Sequence, residues 1–298
     1  MEARKILRQE IEAADGVVQV VGAHNAIGAR LVERNNFDAV WAGGFEISAA
    51  QGKPDANILT MTEFLDAARQ MVESTALPVI ADCDTGFGHT NNVIRMVTDY
   101  ERAGVAAVCI EDKVFPKTNS FIEGRQTLES VENFCEKIVA AQYAKEDPDF
   151  LVIARIESLI AGEGMKRALE RAHYYEEAGA DMILIHSKKE TADEVFQFSS
   201  KWKKHLPVAV VPTTYPDVTL QQLKDNNITM VIYANQILRA AVKAMDNALS
   251  SLAASGSLTN LSQLASMDDI FELQGMNKML ATEEWIKRTS ASSVVRKS

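Results

Sequence analysis

The chain has 298 residues and is 47% hydrophobic, enough for a large buried core without disulfides or structural metal ions. It carries 31 basic and 41 acidic residues, a net charge of −10, which argues against a general binder of nucleic acid or anionic membranes. A local cationic pocket for a small anion is compatible with this balance.

Short apolar runs alternate with amphipathic segments along most of the chain, and no linker rich in Pro or Gly divides it. The eight apolar runs predict strands at Val17–Ala23, Ala39–Ala42, Pro78–Asp84, Ala106–Glu111, Phe150–Glu157, Asp181–Ser187, Val208–Pro212 and Thr229–Ala234. Helical spacing of apolar residues predicts helices between them, including Asn91–Ala103, Val131–Lys145, Met165–Ala178 and Ala192–Trp202. Near-continuous apolar strands alternating with helices indicate a parallel sheet buried on both faces.

The helix ends repeat one pattern. Gly104 and Gly179 each stand directly before a predicted strand, where a left-handed C-cap is expected, and the pairs Asn35-Asn36 and Asn226-Asn227 use the next-best residue type. About eight such units predict a (β/α)₈ TIM barrel rather than an open sheet. A Rossmann fold is the competitor, but the nearest glycine-rich turn, residues 86–88, lacks the third glycine of that fingerprint.

The C-terminal part, residues 236–298, is predicted to contain the last barrel helix followed by a helical tail. A loop near Ala254–Leu258 separates a long helix from further helix. We expect residues 1–298 to form a single (β/α)₈ barrel domain. We also expect the tail to pack on a neighbouring subunit of an oligomer.

The cysteines fit a reducing compartment, and the sequence contains no segment typical of membrane insertion or secretion. Cys83, Cys109 and Cys135 form no Cys-x-x-Cys pair and leave an odd cysteine, which argues against a disulfide framework or a zinc ribbon. The charged start Met1–Lys5 leads into a helical pattern without a signal-peptide core. No run approaches the roughly 18 apolar residues of a membrane helix. We therefore expect a soluble, cytoplasmic protein that does not bind membranes.

Several carboxylates are predicted at one end of the barrel, because TIM-barrel active sites lie at the C-terminal ends of the strands. Asp82 and Asp84 follow Ile80 at strand spacing and are expected to share its face. Glu111 ends the next strand, and Asp55 lies on the long loop after the second strand. Carboxylates crowded at one mouth need a cation, and hard oxygen ligands suit Mg²⁺ or Mn²⁺. The alternative is that they are helix N-caps and solvated loop acids.

Basic side chains are predicted at the neighbouring strand ends. Arg155 and Glu157 share one face of the fifth strand, and His186 ends the sixth. An arginine buried at a barrel mouth is an anion clamp or the partner of an acid, with Glu157 and Glu111 as candidate partners. His186 is a functional group or a neutral, hydrogen-bonded core histidine.

Two loops complete the predicted mouth. The loop of residues 114–120 after the fourth strand is polar, carries Lys117 and is placed to close over a ligand. Gly43 and Gly44 let backbone amides approach a substrate oxygen, or they form only a tight turn. Trp41 walls the pocket or fills the core. These residues predict a divalent-metal-dependent barrel enzyme that acts on a small carboxylate or phosphate.

Two motifs make the chain similar to a known family. Residues 111–120 match the signature Glu-Asp-Lys-x₅-Asn-Ser, and residues 82–88 match Asp-x-Asp-Thr-Gly-x-Gly. On these motifs, and over nearly its whole length, the chain resembles the phosphoenolpyruvate mutases of the isocitrate lyase/phosphoenolpyruvate mutase superfamily. The resemblance implies a Mg²⁺-dependent homotetramer that interconverts phosphoenolpyruvate and 3-phosphonopyruvate. That reaction forms the C–P bond of phosphonate biosynthesis.

The resemblance also implies roles for individual residues. Asp82 is expected to coordinate Mg²⁺ directly, with Asp55, Asp84 and Glu111 holding its waters. The metal set is Asp82, Asp84 and Glu111. Groups expected to act on the reacting atoms or the closing loop form the catalytic set Asp55, Lys117, Asn119, Arg155 and His186. Within it, Arg155 and His186 hold the phosphoryl group. Groups expected to contact the pyruvyl part, including two backbone amides, form the substrate-binding set Trp41, Gly43, Gly44, Phe45 and Ser120.

Some positions depart from the mutase pattern. Gly43 stands where mutases usually have Ser, and Gln236 replaces a His. Residues 54–57 and 214–216 look as much like phosphonopyruvate hydrolase, the relative that cleaves the C–P bond. That hydrolase usually has Thr at the position of Asn119. We therefore expect a mutase, with the hydrolase as the alternative.

Two other functions fit less well. The carbon–carbon lyases of the superfamily carry a Lys-Arg-Cys-Gly-His loop, whereas Lys117–Ser120 contains no cysteine. A non-catalytic scaffold does not explain so many carboxylates at one barrel mouth, which cost stability unless a cation is bound.

Overall fold

The computed structural model describes residues 2–13, 16–122, 124, 126–203 and 205–295. Its eight parallel strands pair in chain order, and the last pairs with the first, so the sheet is a closed barrel. The strands are β1 Val18–Ala23, β2 Ala39–Ala42, β3 Val79–Asp82, β4 Ala107–Glu111, β5 Leu151–Ile156, β6 Met182–Ile185, β7 Val208–Val210 and β8 Met230–Tyr233. The predicted TIM barrel is confirmed.

Helices separate the strands and surround the barrel. They are α1 Glu2–Ala13, α2 Ala26–Arg34, α3 Gly44–Ala50, α4 Met61–Ser74, α5 Thr90–Arg102, α6 Val131–Ala144, α7 Ser158–Ala161, α8 Gly164–Glu177, α9 Asp193–Lys201, α10 Leu220–Asp225 and α11 Gln236–Ser255. The predicted left-handed caps are present, with φ of +89° at Gly104, +100° at Gly179, +57° at Asn36 and +56° at Asn227. These residues end a helix and turn the chain into the next strand.

Five predicted strands are too long at their C-terminal ends: β7 ends at Val210 and β8 at Tyr233, one or two residues before the predicted ends, and the other three border the site. β3 ends at Asp82, β5 at Ile156 and β6 at Ile185. Asp84 has a φ of +49°, so the chain is no longer extended at this residue. The prediction that strand alternation places Asp84 on the face of Ile80 is therefore wrong. Glu157 is the N-cap residue of α7 rather than part of β5.

The alternation of side chains along each strand separates two apolar layers. One set, represented by Trp41, Ile80 and Cys109, packs inside the barrel, while residues of the opposite parity pack beneath the helices. Asp82, Glu111 and Arg155 each follow an inward-pointing residue by two positions, at the ends of β3, β4 and β5, so their side chains also point inward. The sequence thereby carries these three side chains to the inner rim at the C-terminal ends of the strands.

The opposite end of the barrel is closed by α1. Leu7 and Ile11 join the interior apolar cluster. Arg4 donates from Nε to the carbonyl oxygen of Val105 at 2.9 Å and from Nη1 to Asp147 Oδ2 at 2.9 Å. These contacts hold α1 against the residues that lead into β4 and β5.

The chain divides into two compact units, one ending at Ala240 and one beginning at Ala241. The second unit contains the rest of α11, a 3₁₀ turn at Leu258–Asn260, and helices α12 Met267–Gln274 and α13 Met276–Val295. The helix, loop and further helix predicted after residue 236 are present. None of the described helices has the length and apolar character needed to cross a membrane.

Candidate active site

The C-terminal ends of the strands and the following loops form one pocket. The predicted residues that line it directly are Trp41, Phe45, Asp55, Asp82, Lys117, Asn119, Ser120, Arg155 and His186. Asp84 and Glu111 lie just behind these residues and contact Lys117 and Arg155, respectively. Gly43 and Gly44 lie at the end of β2 and the start of α3. The structure therefore gathers residues from distant parts of the sequence at one mouth.

Four carboxylates form one side of the mouth, which we call the acidic half: Asp55, Asp82, Asp84 and Glu111. Lys117 Nζ lies 2.8 Å from Asp55 Oδ1 and 2.7 Å from Asp84 Oδ1. Burial, reinforced by the neighbouring charge of Asp82, raises the pKa of Asp84 to about 7 despite Lys117. Burial alone would lower the pKa of Lys117, but the surrounding carboxylates raise it well above its ordinary value, so this lysine stays charged.

Two asparagines connect the loop of residues 114–120 to the loop after β2. Asn119 Nδ2 donates to Asp55 Oδ2 at 2.7 Å, and Asn57 Nδ2 donates to Asp84 Oδ2 at 2.7 Å. The backbone amide of Lys117 donates to Asn57 Oδ1. Burial alone would raise the pKa of Asp55, but Lys117 and Asn119 bring it below its ordinary value. The loop after β4 therefore lies closed against the acidic half.

Asn57 was not among the predicted site residues. Its φ of +55° places it in the left-handed region, which asparagine tolerates better than most residues. The only signal in the sequence was its position in the segment of residues 54–57, which resembles the hydrolase. Its contact with the carboxylate of Asp84 is a property of the folded chain.

A glycine backbone approaches the carboxylates from β2. The amide of Gly44 donates to Asp82 Oδ2 at 3.3 Å. A Cβ at this position would lie 3.0 Å from Asp84 Oδ1 and 3.3 Å from Asp82 Oδ2, so any side chain would crowd both acids. Gly44 therefore brings a backbone N–H to the centre of the mouth, which is possible because glycine has no Cβ.

Glu46 is a second site residue that the sequence reasoning missed. It is buried in the pocket wall, and burial, with the added repulsion of Asp82 and Asp55, raises its pKa to about 8. Its Oε1 has no hydrogen-bond partner among the described residues. A Cβ at Gly43 would lie 2.0 Å from Glu46 Oε2, so a side chain at Gly43 requires the Glu46 carboxyl to move. The available signal was that Glu46 is the one charged residue of α3.

Basic side chains arranged around one buried acid form the other side of the mouth. We define this basic half as Arg155, His186 and Lys113 together with the carboxylate of Glu157. Arg155 Nε donates to Glu157 Oε1 at 2.5 Å and lies 3.4 Å from Glu111 Oε2. His186 Nδ1 lies 2.7 Å from Glu157 Oε1. Arg155 therefore has both candidate acids as partners.

Ser120 joins the loop to the basic half. Its Oγ donates to Glu157 Oε2 at 2.8 Å and accepts from Lys113 Nζ at 2.6 Å. Burial would raise the pKa of Glu157, but the charges of Arg155 and Lys113 and the hydrogen bond with His186 hold it well below the ordinary value. Burial lowers the pKa of His186, and Arg155 acts in the same direction, so the imidazole is neutral at pH 7.

The acidic half fits a divalent cation by the chemistry of its donors. Mg²⁺ and Mn²⁺ prefer carboxylate oxygens, and four carboxylates are clustered here. Glu111 Oε1 is buried without a hydrogen-bond partner among the described residues. Lys117 supplies the local positive charge in this structure. The residues therefore fit a hard cation as an additional charge partner.

Comparison with known proteins gives relatives of several activities, among them hydrolases, phosphomutases and lyases. A phosphonopyruvate hydrolase from Variovorax sp. (strain Pal2) is 44% identical over 266 residues, which cover 88% of this chain and 92% of that protein. The crystal structure of a phosphoenolpyruvate phosphomutase from Streptomyces platensis subsp. rosaceus superposes with a TM-score of 0.93 at 48% identity, covering 95% of this chain and 98% of that chain.

A third relative is informative about ligands. The crystal structure of a phosphonopyruvate hydrolase in complex with oxalate and Mg²⁺ superposes with a TM-score of 0.90 at 40% identity, covering 95% of this chain and 99% of that chain. The sequence model of the family described as phosphoenolpyruvate phosphomutase matches residues 7–253. The chain therefore belongs to the phosphoenolpyruvate phosphomutase family, within the phosphoenolpyruvate mutase/isocitrate lyase superfamily.

Proposed function

We propose that this chain interconverts phosphoenolpyruvate and 3-phosphonopyruvate. The observation that carries the proposal is the placement of the Asn119-Ser120 pair on the closed loop. Asn119 contacts Asp55 in the acidic half, and Ser120 contacts Glu157 in the basic half. One loop segment thus spans both sides of the mouth with the two residues of the mutase signature.

The basic half is suited to hold the phosphoryl group during its transfer. In the forward direction the O–P bond breaks and a C–P bond forms at C3 of the same pyruvyl skeleton, so no atom is gained or lost. Phosphoryl transfer passes through a loose state in which the protein mainly positions groups and stabilises charge. Arg155, with its raised pKa, and the neutral His186 would hold the group while the pyruvate enolate turns to present C3.

The acidic half is suited to hold the pyruvyl end. Asp82, with Asp55, Asp84 and Glu111, would hold Mg²⁺ or Mn²⁺, and the bound ion would supply stabilisation of negative charge on the enolate. The amides of Gly44 and Phe45 would bind the pyruvyl oxygens, and Gly44 already lies against Asp82. The solved hydrolase complex with oxalate and Mg²⁺ supports this use of the pocket.

The loop of residues 114–120 would keep water away from the phosphoryl group. Water in the pocket would capture the group as inorganic phosphate, and a closed site prevents that side reaction. Lys117 and Asn119 both contact Asp55, so the loop is attached where the pyruvyl end is expected. The side chains of Trp41 and Phe45 form an apolar part of the wall of the same pocket.

Hydrolysis of phosphonopyruvate is the alternative function, and two observations favour it. The Variovorax hydrolase is 44% identical to this chain. Asn57, in the segment that resembles the hydrolase, donates to Asp84 at the centre of the mouth. Carbon–carbon lyase chemistry is not proposed, because residues 117–120 contain no cysteine.

We propose further that the protein is a cytoplasmic homotetramer in which the tail packs on a neighbouring copy. Val242, Met245 and Leu249 of α11 are more than half exposed at helical spacing, so they form an apolar stripe. Analytical ultracentrifugation of the full chain tests this, with a tetramer as the expected species. A stable monomer would contradict the proposal.

The decisive experiment is ³¹P NMR of the purified protein with phosphonopyruvate and Mg²⁺, without a coupling enzyme. A growing phosphate-ester signal of phosphoenolpyruvate is expected for the mutase. Inorganic phosphate appearing from the first time point, without the ester, would establish the hydrolase instead. Repeating the reaction after chelation of divalent cations tests the metal, and we expect turnover to stop.

A further inference from the structure

A group of three side chains outside the barrel mouth has the composition of a metal site. His173 and Glu176 lie three residues apart on α8, and His205 lies in the connection from α9 to β7. Each offers one donor atom, and the three atoms all lie within 4.8 Å of one another. Across the part of the chain that the structure describes, no other group of histidine, cysteine and acidic side chains meets this condition.

A buried tryptophan holds the two imidazoles in place. The Trp202 ring stacks on His205 with centroids 4.4 Å apart and packs against His173 at 4.8 Å. Trp202 is itself 2% exposed, and its Nε1 donates to the carbonyl oxygen of Leu206 at 3.0 Å. Both histidines are exposed at their outer edges, so a solvent ion has access to them. Binding therefore requires little ordering of the ligands.

The donor set matches one kind of cation. Two imidazole nitrogens and one carboxylate oxygen form a common zinc ligand set, whereas Mg²⁺ prefers oxygen donors only. Zinc bonds of about 2.1 Å at tetrahedral angles place ligand atoms about 3.4 Å apart. His205 Nδ1 already lies 2.8 Å from Glu176 Oε2, and all three donor atoms lie within 4.8 Å of one another, so small side-chain rotations bring them to this spacing. We propose that His173, Glu176 and His205 bind Zn²⁺.

The position of the site assigns it a structural role. α8 leads into β6 and α9 leads into β7, so the ends of both helices lie at the N-terminal end of the strands. In TIM barrels this end carries stability, and the chemistry occurs at the opposite end. His173 and Glu176 also stand in the last two turns of α8, where the helix dipole favours a cation. The ion links α8 to the α9–β7 connection and stabilises the barrel independently of the proposed reaction.

Isothermal titration of the full chain with Zn²⁺ in excess Mg²⁺ at pH 7.5 tests the site. We expect one Zn²⁺ per chain, and an affinity at least tenfold lower in His173→Gln and in His205→Gln. His89→Gln is the matched control, since it removes an exposed histidine that has no place in the group, and its affinity should be unchanged.

Thermal unfolding provides a second measurement. Zn²⁺ should raise the melting temperature of the wild type and of His89→Gln, but not that of the double variant His173→Gln/His205→Gln. Zinc binding that is absent in the wild type, or equally tight in the double variant, would overturn the proposal. The proposal would also be overturned if Asp82→Ala lost the bound Zn²⁺ while the double variant still bound one Zn²⁺ per chain. The zinc would then occupy the barrel mouth.

Discussion

The two halves of the barrel mouth differ in how their buried charges are compensated. In the basic half, one fully buried carboxylate, Glu157, contacts the cations Arg155 and Lys113 and the neutral imidazole of His186, and it keeps a strongly lowered pKa. In the acidic half, Lys117 contacts two of the four carboxylates, Asp55 and Asp84. The pKa of Asp84 is raised to about 7, and Glu111 Oε1 has no hydrogen bond among the described residues.

This difference indicates which half needs a ligand to be complete. The basic half has its charges balanced within the protein, so it presents pre-ordered donors to an anion. The acidic half keeps an excess of negative charge at a cost in stability, which a divalent cation would relieve. An enolate with its cation and a phosphoryl group would therefore bind on opposite sides of one pocket. Substitutions in each half test this division.

Asp82→Ala should have the largest effect, because it removes the proposed direct ligand of the cation from the acidic half. We expect turnover of phosphonopyruvate, followed by ³¹P NMR with Mg²⁺, to be abolished. Asp66→Ala, on the exposed face of α4, is the control and should leave turnover unchanged. Retention of more than about a tenth of wild-type activity, a loss below ~1.4 kcal/mol, would contradict the assignment.

Glu157→Gln should destabilise the basic half, since Arg155 and Lys113 lose their buried counter-charge. Removing one partner of a buried ion pair costs about 3–5 kcal/mol. The pKa of Glu157 in the folded chain lies below its ordinary value of 4.5, so its stabilising effect is present above pH 4.5 and is lost as the pH falls further. Urea unfolding should show the full difference at pH 7 and a smaller one below pH 4.5.

The control for Glu157→Gln is Glu170→Gln, which breaks only an exposed pair with Arg167. Its unfolding free energy should differ from that of the wild type by less than about 1 kcal/mol. A Glu157→Gln variant as stable as this control at pH 7 would show that the basic half does not depend on its buried acid.

Glu46→Gln should change how stability depends on pH. The pKa of Glu46 is raised from 4.5 to about 8, so the wild type is destabilised as the pH rises from 4.5 towards 8. By pH 7 this amounts to roughly 3 kcal/mol. Urea unfolding without divalent cations should show the variant gaining that amount over the wild type between pH 4.5 and pH 7. Parallel curves for the two proteins would refute the assignment of a protonated Glu46.

Asn119→Ala should have the smallest effect on rate but the most specific effect on products. It removes the hydrogen bond between the loop and Asp55. We expect a rate loss of roughly tenfold, about 1.4 kcal/mol, and release of inorganic phosphate as water enters. ³¹P NMR measures both quantities, with the neighbouring Thr118→Ala as control. An unchanged rate and product ratio would argue against a role of Asn119 in excluding water.

The sequence determined the barrel and much of its rim. Strand alternation carried Asp82, Glu111 and Arg155 to the inner face, because each continues the parity of buried apolar residues before it. The left-handed caps at Gly104 and Gly179 followed from the conformational freedom of glycine. The motif of residues 111–120 pointed to Asn119 and Ser120 before any contact was known. All of these features depend on residues close together in the chain.

Only the tertiary structure decided the electrostatics of the mouth. Asp84 turns out of the strand into its contact with Asn57, Lys113 reaches Glu157, and Glu46 is buried against Gly43. The His173, Glu176 and His205 group likewise depends on a contact between α8 and the residues after α9. Such contacts join segments far apart in sequence, and a pKa depends on the burial and the charges that these segments create together. A local sequence pattern shows neither the burial of a group nor the charges around it, so the pKa shifts become visible only in the folded chain.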